Sequence, residues 1–204
     1  MIILQGFYWN CLKNWWQELN HLVEAFKEKQ FDTIWLPPPT QGMSKDNSMG
    51  YDISKHYNLN TRFGNKKQLK SLIKNLHNKN IKVMGDLVMG HMIGGDLEYN
   101  PFLEKETYTS FKEKQFPKNY NHFCHECGKC NSNNSFGETI CYYSDDSYMK
   151  KELINWSYWL KEDIGFDNFR LDNLKDIRWD FIKEFSNEFK DTFLLGEYWD
   201  HDDE

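Results

Sequence analysis

The stretch "GFDNFRLDNLKD", residues 165–176, decides the fold. Phe166, Phe169 and Leu171 make it apolar enough for a buried strand, yet Arg170 and Asp172 interrupt it. Residues two apart on a strand point to the same side of a sheet. A guanidinium and a carboxylate aimed together from a buried strand are either a structural ion pair or the working end of a catalyst.

Working outward, apolar runs alternate with amphipathic segments. "IILQGF" (2–7), "FDTIWLPPP" (31–39), "IKVMGDLVM" (81–89), "FDNFRLD" (166–172) and "TFLLGEYWD" (192–200) read as strands, the second stopped by its prolines. "WWQELNHLVEAFKEK" (15–29), "NKKQLKSLIKNLHNKN" (65–80), "MKKELINWSYWLKED" (149–163) and "WDFIKEFSNEFK" (179–190) have helical spacing. Strands alternating with helices predict an α/β fold, a parallel sheet with helices packed outside. Either a doubly wound sheet or part of a (β/α)8 TIM barrel satisfies that pattern. Asp86, His91, Arg170, Asp172 and Glu197 all fall at or just beyond C-terminal strand ends, where both folds place their chemistry. No glycine-rich phosphate loop follows the first strand, so nothing supports a nucleotide site.

Residues 92–148 break the rhythm. They are polar, rich in Asn, Lys and aromatics, and hold four of the five cysteines. The stretch is too long for an ordinary loop and predicts a small inserted domain after the third strand. The partial barrel then comprises residues 1–91 and 149–204.

Composition excludes several partners. A net charge of −6 with no basic patch argues against nucleic acid. No apolar run approaches the ~18 residues of a membrane span. The N-terminus "MIILQGFYWN" lacks the basic and long apolar regions of a secretory leader, so a cytoplasmic location is expected. Eight tryptophans and eleven tyrosines suit either a large aromatic core or a sugar-binding cleft. Asp172 and Glu197, each closing an apolar strand, form a carboxylate pair of the kind glycosidic cleavage needs, one as proton donor and one as nucleophile. An arginine beside the nucleophile would keep it ionised, and Tyr198 and Trp199 could raise the pKa of the donor. On spacing alone, buried ion pairs at strand ends are an equal reading.

Longer matches separate these readings. "GDLVMGH" (85–91), "GFDNFRLDNLK" (165–175) and "LLGEYWD" (194–200) resemble, in order, the first three marker regions of the alpha-amylase family of glycoside hydrolases, particularly its archaeal and plant-like members. "IWLPPPTQ" (34–41), "GYDISKHYNL" (50–59), "FGNKKQLKSLI" (63–73) and "GGDLEYNPF" (94–102) match as well. The resemblance implies a retaining hydrolase of alpha-1,4-glucans such as starch or glycogen. Position by position, it implies Asp172 as nucleophile and Glu197 as general acid/base. Arg170 would orient Asp172, His91 would bond the sugar, and Tyr51 would stack beneath it. Lys175 would contact the leaving-group side, and Asp86 would be a structural partner of Arg170.

Two departures follow. The fourth family region, with its transition-state aspartate, has no counterpart, and five strands leave two sheet edges open. The expectation is an incomplete barrel, little active alone, that requires a missing C-terminal half. A non-catalytic glucan-binding remnant and a zinc-stabilised fragment are the alternatives. Second, relatives bind calcium through residues that align here with Gly90 and Thr139, which weakens the hard-oxygen set calcium favours. Cys124, Cys127, Cys130 and Cys141 instead offer four thiolates to a structural zinc, with disulfides or free thiols as the alternatives. Some archaeal relatives bind zinc in this insert through histidine and cysteine, and Cys141 resembles their cysteine. His122 and His125 are reserve ligands, and Cys11 stands apart.

Overall fold

A computed structural model describes residues 1–125, 136–143 and 147–199. Five parallel strands form its sheet: β1 (Ile3–Gln5), β2 (Thr33–Leu36), β3 (Lys82–Leu87), β4 (Asn168–Leu171) and β5 (Leu194–Gly196). Their spatial order is their chain order. A doubly wound sheet must reverse direction at a switch point, and this one never does. Right-handed crossovers that always add a strand on the same side gather the helices on one face. That is the geometry of a (β/α)8 barrel, here an incomplete one of five strands.

The register shows which side chains share a face. Arg170 pairs with Asp86 on one side and Leu195 on the other, while Trp35 is level with Met84. Alternation then separates two sets. Ile34, Leu36, Val83, Leu87, Phe169 and Leu171 form one buried apolar face. Trp35, Asp86, Arg170, Asp172 and Glu197 share the other. Alternation places Gly85 on the apolar face, where a Cβ would come within 2.9 Å of the Phe166 ring.

The helices follow the apolar spacing. α3 (Lys66–His77) buries Leu69, Leu72, Ile73 and Leu76 along one stripe. α5 (Trp179–Glu188) buries Phe181, Ile182 and Phe185. The helix expected over 15–29 is instead two, α1 (Trp15–His21) and α2 (Val23–Glu28), joined at Leu22. The Leu22 backbone, at φ −93° and ψ −2°, has moved off the ideal helical geometry. α4 (Tyr148–Trp159) continues through a π-helical turn, Leu160–Ile164, to Gly165 at φ +106°. There the absence of a Cβ allows the left-handed stop.

Outside the barrel sheet lie short antiparallel ribbons. Gln41–Gly42 pairs with Ile53–Lys55, His91–Met92 with Glu138–Thr139, and Asp96–Asn100 with Lys105–Ser110. Among the described residues, no helix is long and apolar enough to cross a membrane.

The start of α3 is set by Asn65, whose side chain accepts from the Lys67 and Gln68 N–H groups, while Gln68 Oε1 accepts from the Asn65 N–H. This reciprocal cap satisfies N–H groups that have no partner within the helix. Asn65→Ala should lower unfolding stability by about 1 kcal/mol, and Asn65→Asp should retain most of it, as read by urea denaturation.

Candidate active site

Arg170 projects from β4 into a group of acids from both neighbouring strands. Its Nη1 lies 2.8 Å from Asp86 Oδ1 of β3 and 2.6 Å from Asp172 Oδ1. Its Nη2 lies 2.7 Å from Glu197 Oε2, just beyond β5. One buried guanidinium thus binds three carboxylates at the C-terminal end of the sheet. Asp86 is fully buried, Arg170 and Asp172 nearly so, and the Glu197 side chain is 39% exposed.

Other groups hold these acids in place. Asp86 Oδ2 accepts from the Tyr51 hydroxyl at 2.8 Å and from Trp35 Nε1 at 3.1 Å. Glu197 Oε2 also accepts the Asn173 backbone N–H at 3.0 Å. Asn173 sits at φ +44°, a left-handed conformation that asparagine tolerates better than most residues, and it turns the chain out of β4. His91 Nε2 donates to the Tyr51 carbonyl at 2.8 Å, while its Nδ1 is buried without a hydrogen-bond partner. The exposed ring of Trp9 stacks on Tyr51, with centroids 6.1 Å apart.

Three acids against one arginine leave an excess of negative charge in a dry place. Burial pushes Asp86 up to about 7, with Arg170 opposing the shift and Asp172 adding to it. Burial likewise raises Asp172, against Arg170 and His91 and helped by Glu197. Arg170 therefore favours the ionised form of Asp172 while burial, the larger influence, opposes it. Tyr198 and Trp199, which follow Glu197, are 56% and 43% exposed.

Tyr51, Asp86, His91, Arg170, Asp172 and Glu197 thus converge, and Lys175 stands exposed on the turn Leu174–Asp176 that follows Asp172. The sequence reading missed Trp35 and Trp9. Trp35 could have been found by alternation, which places it on the Asp86 face. Trp9, in a loop after β1, gives no such signal.

The chain matches the family model for the alpha-amylase catalytic domain over residues 17–203. It belongs to the alpha-amylase family. Similar curated proteins include Alpha-amylase 3, chloroplastic, of Arabidopsis thaliana, 29% identical over 98% of this chain and 22% of that protein. Another is Probable alpha-amylase 2 of the same plant, 27% identical over 98% of this chain and 47% of that protein. The chain therefore spans about half, or less, of the length of these alpha-amylase relatives. Alpha-amylase I of Eisenia fetida superposes with a TM-score of 0.76 at 16% identity, covering all of this chain and 46% of its own. The alpha-amylase of Geobacillus thermoleovorans, solved in complex with acarbose, gives 0.61 at 26% identity, covering 92% and 41%.

Gly90 and Thr139 are brought close together, since the Gly90 carbonyl accepts the Ile140 N–H, and neither offers a carboxylate to calcium. Cys124 and Cys141 are buried on neighbouring segments, with Cys124 N–H bonded to the Thr139 carbonyl and Cys141 N–H to the His122 carbonyl. Cys124 is disulfide-bonded, the oxidised alternative to a thiolate ligand. Cys127 and Cys130 lie outside the described residues. Among the described residues, no group of three or more His, Cys, Asp or Glu side chains is arranged to hold a metal ion.

The raised Asp86 pKa has a stability consequence with a definite sign. A carboxyl whose folded pKa exceeds its unfolded value of about 3.9 stabilises most at low pH, and that contribution is lost as pH rises through about 7. Asp86→Asn removes the titration. The variant's stability relative to the unsubstituted chain should therefore improve between pH 5 and pH 8, by up to about 3 kcal/mol in urea unfolding. A difference that does not move with pH would show that Asp86 keeps an ordinary pKa.

Proposed function

We propose that this chain carries the cleavage centre of a retaining glycoside hydrolase acting on alpha-1,4-glucans such as starch or glycogen. The observation that carries the reading is the seating of Asp172 and Glu197, from adjacent strands, on one guanidinium. Two carboxyls held side by side at a strand mouth fit the short separation of a retaining pair, about 5–5.5 Å. The family relation and the neighbour solved with acarbose support a glucan substrate.

In this reading Glu197, the more exposed acid, protonates the leaving oxygen, and Asp172 attacks the anomeric carbon to form a covalent glycosyl-enzyme. Water then attacks that carbon as Glu197 takes back a proton. Asp172 must be ionised to attack, so Arg170 aims it and opposes the effect of burial. Tyr51 stacks beneath the sugar at the cleaved bond, His91 contacts that sugar, and Lys175 reaches the leaving-group side. The chain's open sheet edges call for further strands, and we propose that the 204 residues alone bind glucan but hydrolyse little. A non-catalytic glucan-binding remnant is the second reading. A longer reading frame encoding F-x-x-N-H-D would decide for the enzyme.

With the barrel completed by such a frame, Asp172→Asn or Glu197→Gln should lower starch hydrolysis by several orders of magnitude while circular dichroism stays unchanged. Near-normal turnover in either variant would remove the assignment.

The inserted segment, residues 92–148, is proposed as a domain that, once the disulfide at Cys124 is reduced, is braced by a structural zinc on Cys124, Cys127, Cys130 and Cys141, with no calcium at Gly90 and Thr139. Protein purified under reducing conditions should contain one zinc per chain by elemental analysis. Cys127→Ser and Cys130→Ser should each reduce that content, and full zinc in both variants would sink the four-thiolate site.

A further inference from the structure

Away from the cleft, Glu113 is a buried carboxylate with a specific grip on the backbone. Its Oε1 accepts the Tyr57 N–H at 2.7 Å and its Oε2 the His56 N–H at 3.0 Å. Lys118 Nζ, fully buried, lies 3.6 Å from the same Oε2. The His56 carbonyl is taken by Trp156 Nε1 of α4 at 2.8 Å, so both sides of this residue's backbone are held. The His56 ring, packed against Phe116 and Trp156, makes no hydrogen bond of its own. The histidine thus fills space, and the backbone bonds do the fixing.

The gripped residues continue a segment that ends in the cleft. Ile53–Lys55 immediately precedes them, and the Ile53 carbonyl accepts the Ile93 N–H at 2.9 Å. Two residues earlier, Tyr51 gives its carbonyl to His91 and its hydroxyl to Asp86. Residues 51–57 therefore form a strut pinned at the cleft, in the middle and at Glu113. A charge-assisted pair of N–H bonds to a buried carboxylate is its strongest anchor outside the cleft.

We propose that Glu113 is a positioning residue for Tyr51, fixing through the 51–57 backbone the height and tilt of the ring that faces the sugar. This rests on the reading of Tyr51 as the stacking platform. Lys118, 3.6 Å away, is a partial counter-charge, since burial pushes its ammonium down to about 7 while Glu113 holds it up.

Glu113→Gln keeps the shape, but its amide NH2 cannot accept, so one of the two backbone N–H groups loses its partner. Hydrogen exchange on the 204-residue chain should rise at His56 and Tyr57 and extend back to Ile53 and Tyr51. Maltohexaose affinity, by calorimetry, should weaken roughly tenfold. In a Tyr51→Ala background the same Glu113→Gln change should cost almost nothing further, because the two residues act as one unit. If Glu113→Gln fails to fold, Glu113→Gln/Lys118→Met, which removes the orphaned ammonium, takes its place in every comparison. Exchange confined to residues 56–57, or an affinity loss that persists in the Tyr51→Ala background, would overturn the positioning role alone. Failure of the unsubstituted chain to bind maltohexaose would overturn the glucan reading, and this inference with it.

Discussion

Everything at the mouth of the sheet depends on the charge of Arg170. A buried guanidinium must be matched, and its partners come from three consecutive strands: Asp86 after β3's core, Asp172 after β4 and Glu197 after β5. Trp35 brings β2 into the same cluster through Asp86. The bonds that position the two acids of the proposed reaction therefore also tie the strand ends together. Such economy has a cost in design freedom, because loss of Arg170 would leave Asp86 and Asp172 buried without their cation.

The excess of acid over base gives the cluster its chemical character. Asp86 is withdrawn behind Tyr51 and Trp35 and never meets solvent, whereas Glu197 stands at the edge. Asp172 lies between these extremes, buried enough for its pKa to rise and close enough to Arg170 for the rise to be opposed. Three carboxyls on one cation thus acquire three environments, and differing environments let identical groups take different roles.

Much of this was legible in the residues. The five strands announced themselves as short apolar runs between amphipathic helices, and Arg170 with Asp172 stood out because charge is rare in such runs. Choosing a barrel over a doubly wound sheet required strand order, which periodicity does not encode. The division of residues 15–29 at Leu22 was hidden because neither glycine nor proline marks it. The raised pKa of Asp172 was not legible in the residues, for a related reason. The local sequence displays its arginine two residues away, but Asp86 and Glu197 arrive from distant segments, and burial is a property of the whole fold. Trp35 did not stand out because a tryptophan on a strand is normally core.

Strand order has a further consequence, for assembly. Because spatial order equals chain order, a ribosome delivers each βα unit onto an edge that already exists. The first three strands, with Asp86, emerge well before Arg170 is synthesised. Asp86 then has Trp35 and Tyr51 as neighbours and no cation. Burial, the largest influence on Asp86 in the finished fold, favours the protonated form, so the carboxyl can enter that interior uncharged before its counter-ion is made. The same group that later anchors the arginine need not oppose the nascent collapse that precedes it.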